Sequence, residues 1–144
     1  SKTQQSIMPI IIEHLAGGGE SSAFPQNGRG PSHPYKKFNK AMTLSTYPNT
    51  YIKIHGLGEI ANRPSALQEK FSFDFFDAVP PLIEIAKDAF GVERIMWGSD
   101  YPPVSGREGY TNALKGASEH PAFTTSEEVE WVLGKSALKV INFA

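Results

Sequence analysis

The chain has 144 residues, 14 of them basic and 15 acidic, for a formal net charge of −1. That length suits one domain with a real core, and the balanced charge argues against nucleic acid or an anionic membrane as partner. There is no cysteine, so disulfide frameworks and thiolate metal sites are excluded.

The N-terminal "SKTQQSIMPIII" holds no apolar stretch long enough for a secretion signal. No run approaches the roughly 20 apolar residues of a membrane span. A cytoplasmic globular protein is expected. In chain order, "IMPIII" (Ile7 to Ile12) is short, β-branched and continuously apolar, which predicts a strand buried on both faces, as in a parallel sheet. "EHLAGGGESSAFPQNGRGPSHP" follows and reads as a long loop, a class that is usually functional or disordered. "YKKFNKAMTLSTYP" predicts a helix over Tyr35 to Pro48. Tyr35, Phe38, Met42 and, less well, Ser45 fall at helical spacing, and Pro48 stops it.

"TYIKIHG" (Thr50 to Gly56) predicts a second strand. After the loop "LGEIANRPSALQEKFSF" comes the helix "DAVPPLIEIAKDAFG", with Asp77 as N-cap, Pro80 and Pro81 in the first turn and Gly91 at the C-terminus. "RIMWG" is the third strand, with Trp97 as a core residue. "GREGYTNALKGASEH" predicts a helix, and "TTSEEVEWVLGKSALKVINF" the last one. There, Thr125 and Glu128 form a capping box, and Val129, Val132, Leu133, Val140 and Ile141 an apolar face. Strands alternating with helices imply right-handed crossovers and a parallel sheet. Long loops follow the strands while the returns to them are short. In barrels and doubly wound sheets, chemistry then collects at the carboxyl ends of the strands.

Those ends carry Glu13 and His14, His55, and Asp100. An aspartate at such a mouth can bind a divalent metal or take a proton from an attacking water, and a nearby histidine can shuttle protons or hold an oxyanion. Asp100 is also what an N-cap or turn needs, and His55 also fits a structural histidine. Tyr101-Pro102-Pro103 turns the chain away and fixes the direction of the aspartate. Arg29, Arg63 and Arg107 lie in the three post-strand loops, where they either grip a carboxylate or are simply solvated. His33 and His120 each precede a proline in polar sequence and read as surface loop residues. Gly17-Gly18-Gly19 could cradle phosphate, but no Gly-Lys-Ser/Thr follows.

Four segments, in order, resemble the amidohydrolase superfamily, in the branch that includes aminocarboxymuconate-semialdehyde decarboxylase and pyrone-dicarboxylate lactonase. "ERIMWGSDYPP" resembles the last-strand motif, "PIIIEHLAGGG" the sixth strand, "PNTYIKIHGL" the seventh and "VLGKSALKVINF" the closing helix. The resemblance implies a (β/α)8 barrel. It also implies hydrolysis or non-oxidative decarboxylation of a carboxylated or lactone-type small molecule, with a divalent metal, zinc, as cofactor. Asp100 matches the aspartate that ligates metal or acts as general base, and His14 the histidine that assists. His55, Arg29, Arg107 and Tyr101 are then candidates for binding substrate.

The chain departs from the family's pattern at several places. His55 stands where a small residue is usual, Glu13 where aspartate is frequent, and Ser136 where asparagine is usual. The family's first-strand His-x-His is absent, and three strands are counted where a barrel has eight. Residues 1–144 are therefore expected to be one partial domain, the C-terminal half of such a barrel. It is expected to self-associate or to need the missing N-terminal half. Asp100 and His14 alone offer two metal ligands where catalytic zinc wants about three, so tight zinc is not expected in this chain by itself. A non-catalytic half-barrel that binds a ligand or partner without turnover is the alternative.

Overall fold

The computed structural model describes residues 8–17, 36–55 and 81–142. Three strands form one parallel sheet in the order β1 (Ile10–Ile12), β2 (Thr50–Ile54), β3 (Ile95–Trp97). Ile10 faces Thr50 and Ile12 faces Ile52 across the first pair; Ile52 faces Ile95 and Ile54 faces Trp97 across the second. Helices α1 (Lys36–Met42) and α2 (Leu82–Phe90) occupy the two crossovers. After β3 come α3 (Tyr110–Ser118) and α4 (Ser126–Glu130), which passes through a π-turn (Trp131–Lys135) into α5 (Ser136–Leu138). The architecture is α/β and matches consecutive βα units of a (β/α)8 barrel.

Alternation along a strand sends successive side chains to opposite faces. Ile52, Ile54 and Ile95 all enter one cluster with Leu82, Ile83, Ala86 and Phe90 of α2, Phe38 and Met42 of α1, and Val132 of the π-turn. Each fully buried Ile or Leu there contributes about 1.5–3 kcal/mol relative to an exposed one. Lys53 and His55 alternate with these isoleucines and so belong to the other face, where the site lies.

The amino ends of β2 and β3 are tied by polar contacts. The Arg94 guanidinium donates to the carbonyls of Ser45 and Tyr47 at 2.9 and 3.1 Å, and its Nε to Phe90 at 3.0 Å. Thr50 Oγ1 lies 2.7 Å from the carbonyl oxygens of both Leu44 and Tyr47, which share its one proton. Ser136, the altered position of the closing helix, is fully buried and donates to the Val92 carbonyl at 3.0 Å.

Several expectations are corrected. β1 covers Ile10–Ile12 only, and Ile10 is 54 % exposed rather than buried on both faces. The helix after it stops at Met42 and tightens into a 3-10 turn, Thr43–Thr46. Thr43 and Thr46 hydroxyls there bond back to the carbonyls of Lys40 and Thr43, the competition that makes threonine a poor helix continuer. The last helix ends at Leu138, so Val140 and Ile141 lie beyond it. Thr125 caps α4 by accepting from Glu128 N–H at 3.2 Å, but the Glu128 carboxylate reaches back to Thr124 N–H at 2.7 Å, one residue further than a capping box. His120 is buried, not on the surface: its Nδ1 accepts from Ala122 N–H at 3.1 Å and its ring tilts against Phe123. Asp77, Pro80, Gly18, Gly19, His33, Arg29 and Arg63 lie outside the described residues. Among the described residues no helix is long and apolar enough to cross a membrane.

Candidate metal centre

The three strand ends converge. β1 runs into Glu13 and then a turn, His14 to Gly17, in which His14, Leu15 and Ala16 have φ of 50°, 46° and 54°. Three non-glycine residues thus share a left-handed turn with Gly17, a conformation that costs each of them about 1–2 kcal/mol. Full burial of Leu15 offsets part of that cost. At the end of β3, Asp100 also has φ of 56°. Strained backbone of this kind gathers at functional sites, and here it falls on both residues the sequence singles out for catalysis.

His14 Nε2 lies 3.9 Å from Asp100 Oδ1, and His55 Nδ1 lies 3.7 Å from the same oxygen. The two imidazole centroids are 3.8 Å apart. One donor atom from each of His14, His55 and Asp100 falls within 4.8 Å of the others. Ligands on a tetrahedral zinc with bonds of 2.0–2.1 Å sit about 3.3 Å apart, so the trio needs only a small contraction. His55 Nδ1 is buried and has no hydrogen-bond partner. A buried, unpaired nitrogen costs free energy unless something binds it. The donor set, two imidazoles and a carboxylate, suits a divalent metal such as zinc. Where the sequence offers two ligands, the structure adds a third, His55.

The surroundings are polar and paired. Glu13 joins Lys53 Nζ through Oε1 at 2.9 Å and His55 Nε2 through Oε2 at 3.0 Å. Partial burial opposes ionisation of Glu13, but Lys53 and His55 together outweigh it and hold its carboxyl below the usual range. Burial pushes the His55 pKa down and His14 adds to that; Glu13 and Asp100 oppose it only partly. His55 is therefore neutral near pH 7, the form that ligates metal.

Arg107 pairs through Nη2 with Asp100 Oδ2, and its Nε lies 3.5 Å from the buried Glu108 carboxylate. Sequence offered Arg107 to a substrate carboxylate; the structure engages it with a carboxylate of the protein. Tyr101 is 71 % exposed and stands with His55 and Asp100 on an open cleft of about 440 Å³. Asp100, His14, His55, Tyr101 and Arg107 are thus brought together. The Glu13–Lys53 support was missed by sequence reading, although the change at Glu13 was a signal of it.

A family profile described as Amidohydrolase matches residues 7–143. An amidohydrolase from Burkholderia multivorans with bound HEPES is similar at 17% identity over 91% of this chain and 44% of that one, with a TM-score of 0.65. A zinc-bound structure of an amidohydrolase from the same organism gives 16%, 92%, 43% and 0.65. A protein from Pseudomonas putida, provisionally described as a 2-pyrone-4,6-dicarboxylic acid hydrolase, gives 19%, 92%, 42% and 0.60. At such identities the likeness establishes the fold. The chain spans less than half the length of these solved structures. Among curated proteins none matches.

Proposed function

The chain belongs to the amidohydrolase family, and on that footing we propose that it carries the strand-end groups of a metal-dependent hydrolase. The cation is zinc, held by His14, His55 and Asp100. The substrate is a carboxylated or lactone-type small molecule, opened by hydrolysis; loss of a carboxylate by decarboxylation is the other chemistry open to this family. The observation that carries the reading is the convergence of one donor atom from each of the three residues within 4.8 Å, with His55 Nδ1 buried, unpaired and 3.7 Å from Asp100 Oδ1.

When bound, a divalent cation supplies Lewis acidity and eases deprotonation of water. The chain's own groups do the rest. Asp100 points Oδ1 at the imidazoles, where it would hold the cation or, with that oxygen free, take a proton from an attacking water. Arg107 holds Oδ2 and keeps the carboxylate aimed. His14, half exposed at the mouth, would hold the cation through Nε2, which leaves only its other ring nitrogen able to donate a hydrogen bond to a developing oxyanion. Tyr101 stands at the rim, where it can meet the non-reacting part of a substrate.

The test is zinc uptake by the purified chain after dialysis against a weak chelator, together with turnover of carboxylated lactones. About one zinc per chain, reduced by His55→Ala and by Asp100→Asn, supports the reading; no zinc in the wild type sinks it. A second reading is ligand binding without turnover, for which the open cleft beside His55 and Asp100 suffices. Zinc uptake without hydrolysis of any lactone tried would support it.

A further inference from the structure

We propose that Glu13 is a positioning residue that decides which nitrogen of His55 carries the proton, and so makes Nδ1 of His55 a metal ligand. The inference rests on the cation-site reading above and adds a residue outside the ligand trio.

His55 Nε2 has two polar neighbours. The backbone N–H of His14 donates to it at 2.9 Å, and Glu13 Oε2 lies 3.0 Å away. A ring nitrogen has a single in-plane position, which holds either a hydrogen or a lone pair. The two contacts therefore exclude each other. If Nε2 accepts from His14, the ring proton sits on Nδ1, facing Asp100 Oδ1 at 3.7 Å, and Nδ1 cannot ligate. If Nε2–H donates to Glu13, Nδ1 presents a lone pair toward Asp100.

Three observations favour the second arrangement once a cation is present. Nδ1 is buried without a hydrogen bond, so 3.7 Å to Asp100 is too long to satisfy a proton there. Glu13 is not free to drift, because Lys53 holds its other oxygen at 2.9 Å. Lys53 of β2 and His55, the residue just past its end, lie two residues apart and so on one face, which lets a single carboxylate bridge both. A carboxylate on the far nitrogen of a ligating histidine fixes its tautomer and raises its basicity. Protons balance in the exchange: one leaves Nδ1 for solvent as the cation arrives, and one is taken up from solvent at Nε2.

The experiment uses the 144-residue chain and zinc as the probe. Affinity is measured by competition with a chromophoric chelator for wild type, Glu13→Ala, Glu13→Gln and Glu93→Ala. The ring nitrogens of His55 are read by long-range 15N–1H NMR in the zinc-loaded wild type. Glu13→Ala is expected to bind zinc about 10–100-fold more weakly. Glu13→Gln should fall between, since its amide oxygen still accepts from Nε2–H. Glu93→Ala, just before the amino end of β3, should match wild type. Zinc-loaded His55 should carry its proton on Nε2. Equal affinity of Glu13→Ala and wild type overturns this proposal alone, as does a proton on Nδ1 in the loaded protein. A wild type that takes up no zinc overturns the cation-site reading, and this one with it. If Glu13→Ala does not fold, the wild-type NMR decides.

Discussion

Arg107 and Asp100 form an ion pair in which Nη2 meets Oδ2, both side chains being about nine-tenths buried. Because the guanidinium takes Oδ2, it is Oδ1 that faces His14 and His55. Truncating the arginine would leave a buried carboxylate without its partner. Arg107→Ala is expected to lower the unfolding free energy by about 3–5 kcal/mol, measured by urea denaturation. Arg107→Lys should recover part of this, since it keeps the charge but not the planar fork. A loss below about 1 kcal/mol, the range of an exposed pair, would show that Asp100 does not depend on Arg107.

Asp100→Asn should lose activity and stability together. Asparagine tolerates the left-handed φ that Asp100 adopts, so the turn survives. The amide cannot accept a proton at neutral pH, and turnover is expected to drop by roughly 10²–10⁴-fold. It also leaves Arg107 without its counter-charge, so the urea midpoint falls as well. An asparagine variant with wild-type turnover would remove Asp100 from the chemistry.

His120 introduces a pH dependence. Burial pushes its folded pKa below the ordinary histidine value of 6.5, with Glu84 opposing only partly. Above that value both folded and unfolded chains hold a neutral ring, and the contribution to stability is complete. As the pH falls below it, the unfolded chain binds a proton first, and stability declines until the lower folded value is reached. Urea midpoints should therefore fall from pH 7 toward pH 5, and His120→Gln should flatten the slope. Equal slopes in the two proteins would clear His120.

Gly91 ends α2 with φ 69° and ψ 156°, a region that is essentially glycine's alone. A Cβ added there meets nothing within 4 Å, so the whole effect of Gly91→Ala is backbone strain. The expected loss is about 1–3 kcal/mol, read as a lowered urea midpoint with the metal affinity unchanged. No loss would mean that the helix end relaxes into another turn.

Self-association of the chain is a further expectation. Parallel sheets are ordinarily covered, yet Met8 and Ile10 on the β1 side are 79 % and 54 % exposed. Sedimentation velocity should show dimers or larger species that grow with concentration. A monodisperse monomer at all concentrations would count against it.

Local signals placed much of this structure in advance. Alternating Ile52 and Ile54 announced β2, Gly91 announced the end of α2, and the stop after Trp97 put Asp100 at a strand end. What could not be read depends on contacts between distant residues. Glu13 and His55, the two site positions that depart from the family's motifs, are 42 residues apart, and only sheet register brings them together. His120 lies in polar sequence before a proline, yet it is buried with its ring against Phe123 and close enough to Glu84 of α2 to feel its charge. In "HLAG" only Gly17 favours a left-handed turn; the buried Leu15 makes it tolerable for the rest. Arg107 reads as a loop arginine until Asp100 is seen beside it.

The left-handed turn at His14 to Ala16 also has a stereochemical consequence. The φ that strains an L-residue is the relaxed one for its mirror image. Ala16 carries only a methyl group, so a chain assembled by ligation with D-alanine at 16 should keep the turn, shed its share of the strain and melt later than the all-L protein. D-leucine at 15 should do the reverse, because inverting that centre withdraws a fully buried side chain from the hydrophobic core.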